Sequence, residues 1–220
     1  MTPNKEERWI ITFAIVVMFL ITLPYLIGYA RQGDSWIFTG FMFGLEDGNS
    51  YIAKMLLGAS GDWLFKTPYT AYKQGGFVAF LPYLLLGKLT APPEQHLQLV
   101  VLFHLFRVAA GMFEIIITYR FLSLFISDVR MRRLGVAIIS LGGGLGWLSI
   151  LGLEGLWENR LPLEFYSPET FGFLSILGLP HLAAARGLLL GGLIGYLKPT
   201  QHKTCLFANG IWWVALGIFQ

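Results

Sequence analysis

One cysteine, Cys205, is all the sequence has, so no intrachain disulfide braces it and no set of thiolates holds a metal. Charge is scarce as well. Asp, Glu, Lys and Arg make up 13% of the residues, about half of what a soluble domain carries. The excess of cations is small, 16 Lys and Arg against 13 Asp and Glu, and they are scattered among apolar segments with no basic stripe, which excludes nucleic acid as a partner. The histidines at 96, 104, 181 and 202 have no chelating spacing and Asp-x-Asp is absent, so no metal site is expected. Internal repeats and low-complexity linkers are missing too. Gly142-Gly143-Gly144 lies in an apolar stretch with no Gly-Lys-Ser or Gly-Lys-Thr after it, which reads as close helix packing and not as a phosphate loop.

What the sequence has in quantity is apolar surface: 55% hydrophobic residues, 15% aromatic ones and a mean hydropathy of +0.61. Residues 9–29 run from Trp9 to Tyr29 without a charge, about the length a helix needs to cross ~30 Å of hydrocarbon. The run is longer than a signal-peptide core and ends in Pro24, Tyr25 and Tyr29 with no small-x-small cleavage site, so it reads as a retained helix. The fold class expected is all-α, a polytopic transmembrane helix bundle in one domain over residues 1–220, with interfacial helices in a long first external loop.

Hydropathy and the positions of Lys and Arg predict transmembrane helices at about 9–29, 98–126, 134–152, 180–197 and 205–220, with external loops at about 30–97 and 153–179. Residues 77–89, interrupted by Pro82 and carrying Lys88, are too short to cross and are placed in the interface. That choice keeps Arg130, Arg132 and Arg133 inside with the N-terminus, beside Lys5, Arg8, Lys198 and Lys203. The chain stops at Gln220, at its fifth apolar run and without a polar tail, which is what a fragment of a longer protein would do.

The first external loop holds an acidic pair, Glu46 and Asp47, ahead of an amphipathic segment at 49–65 that reads as a helix lying on the membrane surface. Asp47 or Asn49 is a natural cap for that helix. The competing reading has Glu46 or Asp47 facing the membrane-adjacent cleft as a catalytic base.

Three stretches carry a resemblance: Glu46-Asp47-Gly48-Asn49-Ser50-Tyr51, Leu81-Pro82-Tyr83-Leu84-Leu85-Leu86-Gly87, and Phe103-His104-Leu105-Phe106-Arg107. In this order, after one apolar helix, they resemble the N-terminal part of GT-C class glycosyltransferases, integral-membrane and mannosyltransferase-like enzymes that depend on polyprenyl-phosphate sugars. The resemblance implies an inverting transfer of a sugar from a polyprenyl-phosphate donor to a glycan, lipid or protein acceptor on the external face of a prokaryotic inner membrane. It implies Asp47 as the base, with Glu46 as its substitute, and no cofactor beyond the lipid-linked donor. Tyr51 joins the substrate contacts, and Trp63 and Tyr83 wall the cleft.

His104, Arg107, Gly111 and Glu114 share one face of the second helix. Charges at that depth face a bundle interior or a cavity. Either Arg107 or Arg186 pairs with Glu114 as a structural ion pair, or Arg107 and Arg186 contact the donor phosphate, whose geometry suits a guanidinium. Pro180 starts the fourth helix and places His181 at its outer end, either as an interface residue or, with Glu169, as a contact to donor or acceptor. Two further classes fit the composition: a small transporter or channel subunit with Arg107, Glu114 and Arg186 along a path, and a non-catalytic membrane scaffold. The long first loop favours the enzyme.

Overall fold

The computed structural model describes residues 5–42, 44–67, 69–158, 160–197 and 203–219, with backbone alone for 203–208. Among them the regular structure is helical: α1 (Lys5–Ala30), α2 (Leu45–Ala59), α3 (Leu81–Gly87), α4 (Gln95–Leu122), α5 (Val129–Leu141), α6 (Leu163–Tyr166), α7 (Gly172–Gly178), α8 (Pro180–Leu197) and α9 (Lys203–Phe219), with short 3-10 turns between α5 and α7. Lys198, expected at an inside turn, and Gln220, the expected end of the fifth helix, lie outside the described residues.

Two of these helices, α1 and α4, have the length and apolarity that crossing a bilayer requires. They run antiparallel. Near one end the Tyr119 hydroxyl of α4 donates to the Glu6 carboxylate of α1, and near the other the Arg107 guanidinium donates to the Thr22 hydroxyl at 2.8 Å. Between them Ile10, Ala14 and Met18 pack on Ala110 and Ile115, with Ile176 and Ala183 completing the core. Gly111 lets α4 close on Met18 and Ile176, and Gly187 lets α8 close on Phe113.

The expected third crossing at 134–152 is corrected. Asp128 caps α5, its carboxylate accepting from the Arg130 and Met131 amides at 2.7 and 3.4 Å, but the helix stops at Leu141. At 13 residues it rises only about 20 Å. Gly142, Gly143 and Gly144 do not pack a continuing helix. Gly144 has φ of +90°, a conformation no L-helix continues through, and the chain turns into a 3-10 segment at Gly146–Leu151. The broken end is capped by α7, where the Phe173 amide donates to the Gly142 carbonyl at 3.2 Å and Gly172 sits against the Ile139 carbonyl.

The first long connection, 31–94, carries α2 and α3 side by side. Gly58 faces the Leu84 carbonyl and Gly87 faces the Met55 carbonyl, so the two helices touch backbone to backbone. Together they cover one end of α4, where Tyr51, Met55 and Tyr83 pack on Leu99 and Phe103.

Candidate functional site

Helix α2 starts earlier than its amphipathic pattern suggests, which changes what its acidic residues do. Gly44 stands at the N-cap with φ of 60° and no side chain caps the helix, so neither Asp47 nor Asn49 is the cap. Glu46 and Asp47 lie within the first turn, both exposed, where negative charge suits the helix N-terminus. Asp47, Tyr51 and Lys54 follow at i, i+4 and i+7 and share one stripe of α2.

That stripe meets an aromatic cluster. The Tyr51 ring stacks on Tyr83 at 4.9 Å between centroids, and Tyr83 is fully buried. The Tyr83 hydroxyl lies 3.0 Å from Nδ1 of His181, which stands in the first turn of α8 behind Pro180, and the His181 ring lies 5.1 Å from Tyr51. Burial pushes the Tyr51 and Tyr83 hydroxyls above the ordinary tyrosine value, and the charge of Asp47 acts in the same direction. Both stay neutral hydrogen-bonding groups.

Lys54 is the residue that sequence reasoning passed over as one of the polar positions of a surface helix. It is 7% exposed. Its ammonium donates to the Ser50 hydroxyl at 2.5 Å and lies over the Phe80 and Tyr51 rings at 4.5 and 5.0 Å. Desolvation lowers its pKa, and Asp47 pulls the other way. The signal was present in the i+7 spacing from Asp47, but nothing in the sequence showed that α3 would cover the stripe.

The other predicted residues fall elsewhere. Arg107 is wholly buried on α4, behind the cluster; its Nε donates to Nδ1 of His104 at 3.2 Å, its plane lies 4.5 Å from the Tyr25 ring, and Nη1 has no partner. His104 in turn meets the Gly40 carbonyl through Nε2 at 2.9 Å, so His104 donates there and accepts from Arg107. These two residues tie α4 to the loop that leads into α2. Phe41 of that loop packs on Phe103 at 5.1 Å and lies against Gly48, one residue after Asp47.

Arg186 is the partner of Glu114, at 3.4 Å, and it also donates to the Glu169 carbonyl. Of the two pairings left open by the sequence, this is the one that forms. The bond to Glu169 is to its backbone, and Glu169 itself is exposed. Trp63 is exposed, with the Lys88 ammonium 4.2 Å from its ring, whereas Tyr83 lies inside the cluster. Asp47, Tyr51 and His181 are thus brought together with Lys54 and Tyr83, while Arg107 with His104, and the partly exposed Arg186 with buried Glu114, form separate networks.

A buried carboxylate that sequence reasoning missed, Glu164, accepts from the Gly146 amide and lines a cleft of about 360 Å³ with Trp147, Phe165 and Phe173. Its bond closes the turn that the glycine run opens. Among the described residues no group of three His, Cys, Asp or Glu side chains is placed to hold a metal ion. Among protein-family models, curated proteins and solved structures, none matches this chain.

Proposed function

We propose that this chain carries out an inverting glycosyl transfer of the GT-C kind, from a polyprenyl-phosphate sugar to a glycan, lipid or protein acceptor at the external face of a prokaryotic cytoplasmic membrane. In this reading α1, α4, α5, α8 and α9 are embedded in the bilayer, α2 and α3 lie in its outer interface, and the N-terminus is inside. The Glu6–Arg133 ion pair supports the orientation, since it joins the N-terminal end to the basic start of α5, and cations collect on the inner side. Ile15, Phe19 and Ile27 on the exposed face of α1 suit contact with lipid.

One observation carries the reading: an exposed carboxylate, Asp47, opens the stripe of an interfacial helix that ends in a buried ammonium and an aromatic wall. A sugar transferase needs a carboxylate to take the acceptor proton and apolar or aromatic surface for ring and lipid. Asp47 accepts the acceptor hydroxyl proton as the oxygen attacks the anomeric carbon from the side opposite the phosphate. The bond to phosphate breaks with its electron pair on the leaving oxygen. The membrane lipid supplies the donor chain, and an apolar cleft of about 490 Å³ beside Val17, Ile21, Pro24 and Leu177 fits hydrocarbon; Met42, just ahead of α2, forms its rim.

Asp47→Asn removes the base and is expected to abolish sugar transfer from a polyprenyl-phosphate donor in reconstituted membranes while expression and helicity stay as in the wild type. Unchanged turnover in Asp47→Asn and in Glu46→Gln rejects the assignment. Orientation is checked with Asp47→Cys in Cys205→Ser background, which an impermeant thiol reagent should label in intact cells.

A further inference from the structure

Lys54 is a buried cation that feels the charge of Asp47 but forms no ion pair among the described residues. Among the described residues no carboxylate lies within ion-pair distance of it, and its stabilising contacts are one hydroxyl and two ring faces. Burying an ammonium without a counter-charge is costly, and such a charge persists where an anionic ligand compensates it. The two guanidiniums expected to meet a phosphate are placed elsewhere: Arg186 bonds Glu114 and the Glu169 carbonyl, and Arg107, at 0% exposure, is enclosed with His104, Thr22 and the Tyr25 ring, its Nη1 unpartnered.

The surroundings of Lys54 suit a phosphate ester. Ser50 adds a hydroxyl, and His181 faces the same two rings as the ammonium, at 5.1 Å from Tyr51 and 6.5 Å from Phe80. Asp47 stands seven residues earlier on the same stripe, and the Lys54 side chain reaches back along it to Ser50, three residues after Asp47. One helix face therefore presents both the proposed base and a cation for the leaving phosphate.

We propose that Lys54, with Ser50 and His181 beside it, is the binding site for the phosphate of the lipid-linked donor. This rests on the sugar-transfer reading above and adds the group that receives the leaving phosphate. The acceptor proton goes to Asp47, the anomeric carbon exchanges its phosphate oxygen for the acceptor oxygen, and the electron pair of the broken bond stays on the lipid phosphate, whose added negative charge Lys54 compensates.

The test is a binding titration of the full chain in detergent or nanodiscs with farnesyl phosphate, farnesol and inorganic phosphate, read by calorimetry. Wild type is expected to bind farnesyl phosphate at least tenfold more tightly than either farnesol or inorganic phosphate. Lys54→Gln should lose at least tenfold of that affinity, and Lys54→Arg should recover most of it. Lys54→Met, which suits the aromatic surroundings, gives the same reading should Lys54→Gln fail to fold. Farnesyl phosphate bound equally by wild type, Lys54→Gln and Lys54→Met overturns the assignment of Lys54 and leaves the transferase reading standing. Wild type that binds no farnesyl phosphate overturns both. Inorganic phosphate bound as tightly as farnesyl phosphate, with the same loss in Lys54→Gln, keeps Lys54 as a phosphate contact and overturns the lipid-linked donor.

Discussion

Glu6 of α1 and Arg133 of α5 meet at 3.0 Å, across more than half of the chain. The Tyr119 hydroxyl of α4 donates to the other carboxylate oxygen, so a single acidic side chain fastens three helices at one end of the bundle. Both partners of the ion pair are partly exposed, so a double-mutant cycle of Glu6→Gln and Arg133→Gln should show only weak coupling. The geometric consequence is larger. Cysteines placed at 6 and 133 in a Cys205→Ser background should be joined by a short bifunctional thiol reagent in membranes, and failure to join them would contradict the arrangement of α1 and α5.

Glu114 and Arg186 form the more demanding pair, because Glu114 is 5% exposed. Removing one partner strands a charge inside the bundle. Arg186→Gln, which strands the buried Glu114 carboxylate, should destabilise by about 3–5 kcal/mol; Glu114→Gln should cost less because Arg186 is partly exposed and keeps the Glu169 carbonyl, and the double variant should recover much of the larger loss. Thermal or denaturant unfolding in detergent measures it; equal losses in single and double variants would show that the pair does not act as one.

Gly58 and Gly87 should tolerate no side chain. A methyl on either runs into a carbonyl of the facing helix, Leu84 or Met55, and backbone cannot swing aside as a side chain can. Gly58→Ala and Gly87→Ala are each expected to cost about 1–3 kcal/mol or more and to pull Tyr83 away from Tyr51, lowering the proposed sugar transfer with stability. Gly75→Ala, with nothing within 4 Å of the added methyl, is the matched control and should leave both unchanged.

The pH dependence of stability follows from Lys54. Desolvation holds its folded-state pKa below the ordinary 10.5, with Asp47 opposing. Between those two values the unfolded chain binds more protons than the folded one, so stability contributed by this group rises with pH. The burden of the buried charge is fully present below the folded value and is relieved as pH climbs through 10.5. Unfolding midpoints of wild type and Lys54→Met, compared from neutral pH to 10.5, should shift steadily in favour of wild type. A constant gap would mean that Lys54 titrates as an exposed lysine does.

Much of this molecule is written locally. An uncharged run of the length of 9–29 has no other stable way to satisfy its backbone than a helix, and Asp128 caps the helix that follows it because its carboxylate reaches the next free amides. The acidic pair before an amphipathic segment, and the buried charges of α4, were visible for the same reason: each is a pattern within one element. What tertiary structure alone decided is which charges are compensated. Arg107 and Arg186 look equivalent in sequence, yet only Arg186 reaches Glu114, because α8 lies along α4 with Gly187 against Phe113, whereas Arg107 is enclosed by Thr22 and Tyr25 of α1. The end of α5 at Leu141 depends on α7 docking beneath the glycines, and the burial of Lys54 depends on α3 closing over α2 through Gly58 and Gly87. Hydropathy and spacing act over a few residues, while the energy of a charge depends on everything within several ångströms of it in space, whatever its distance along the chain.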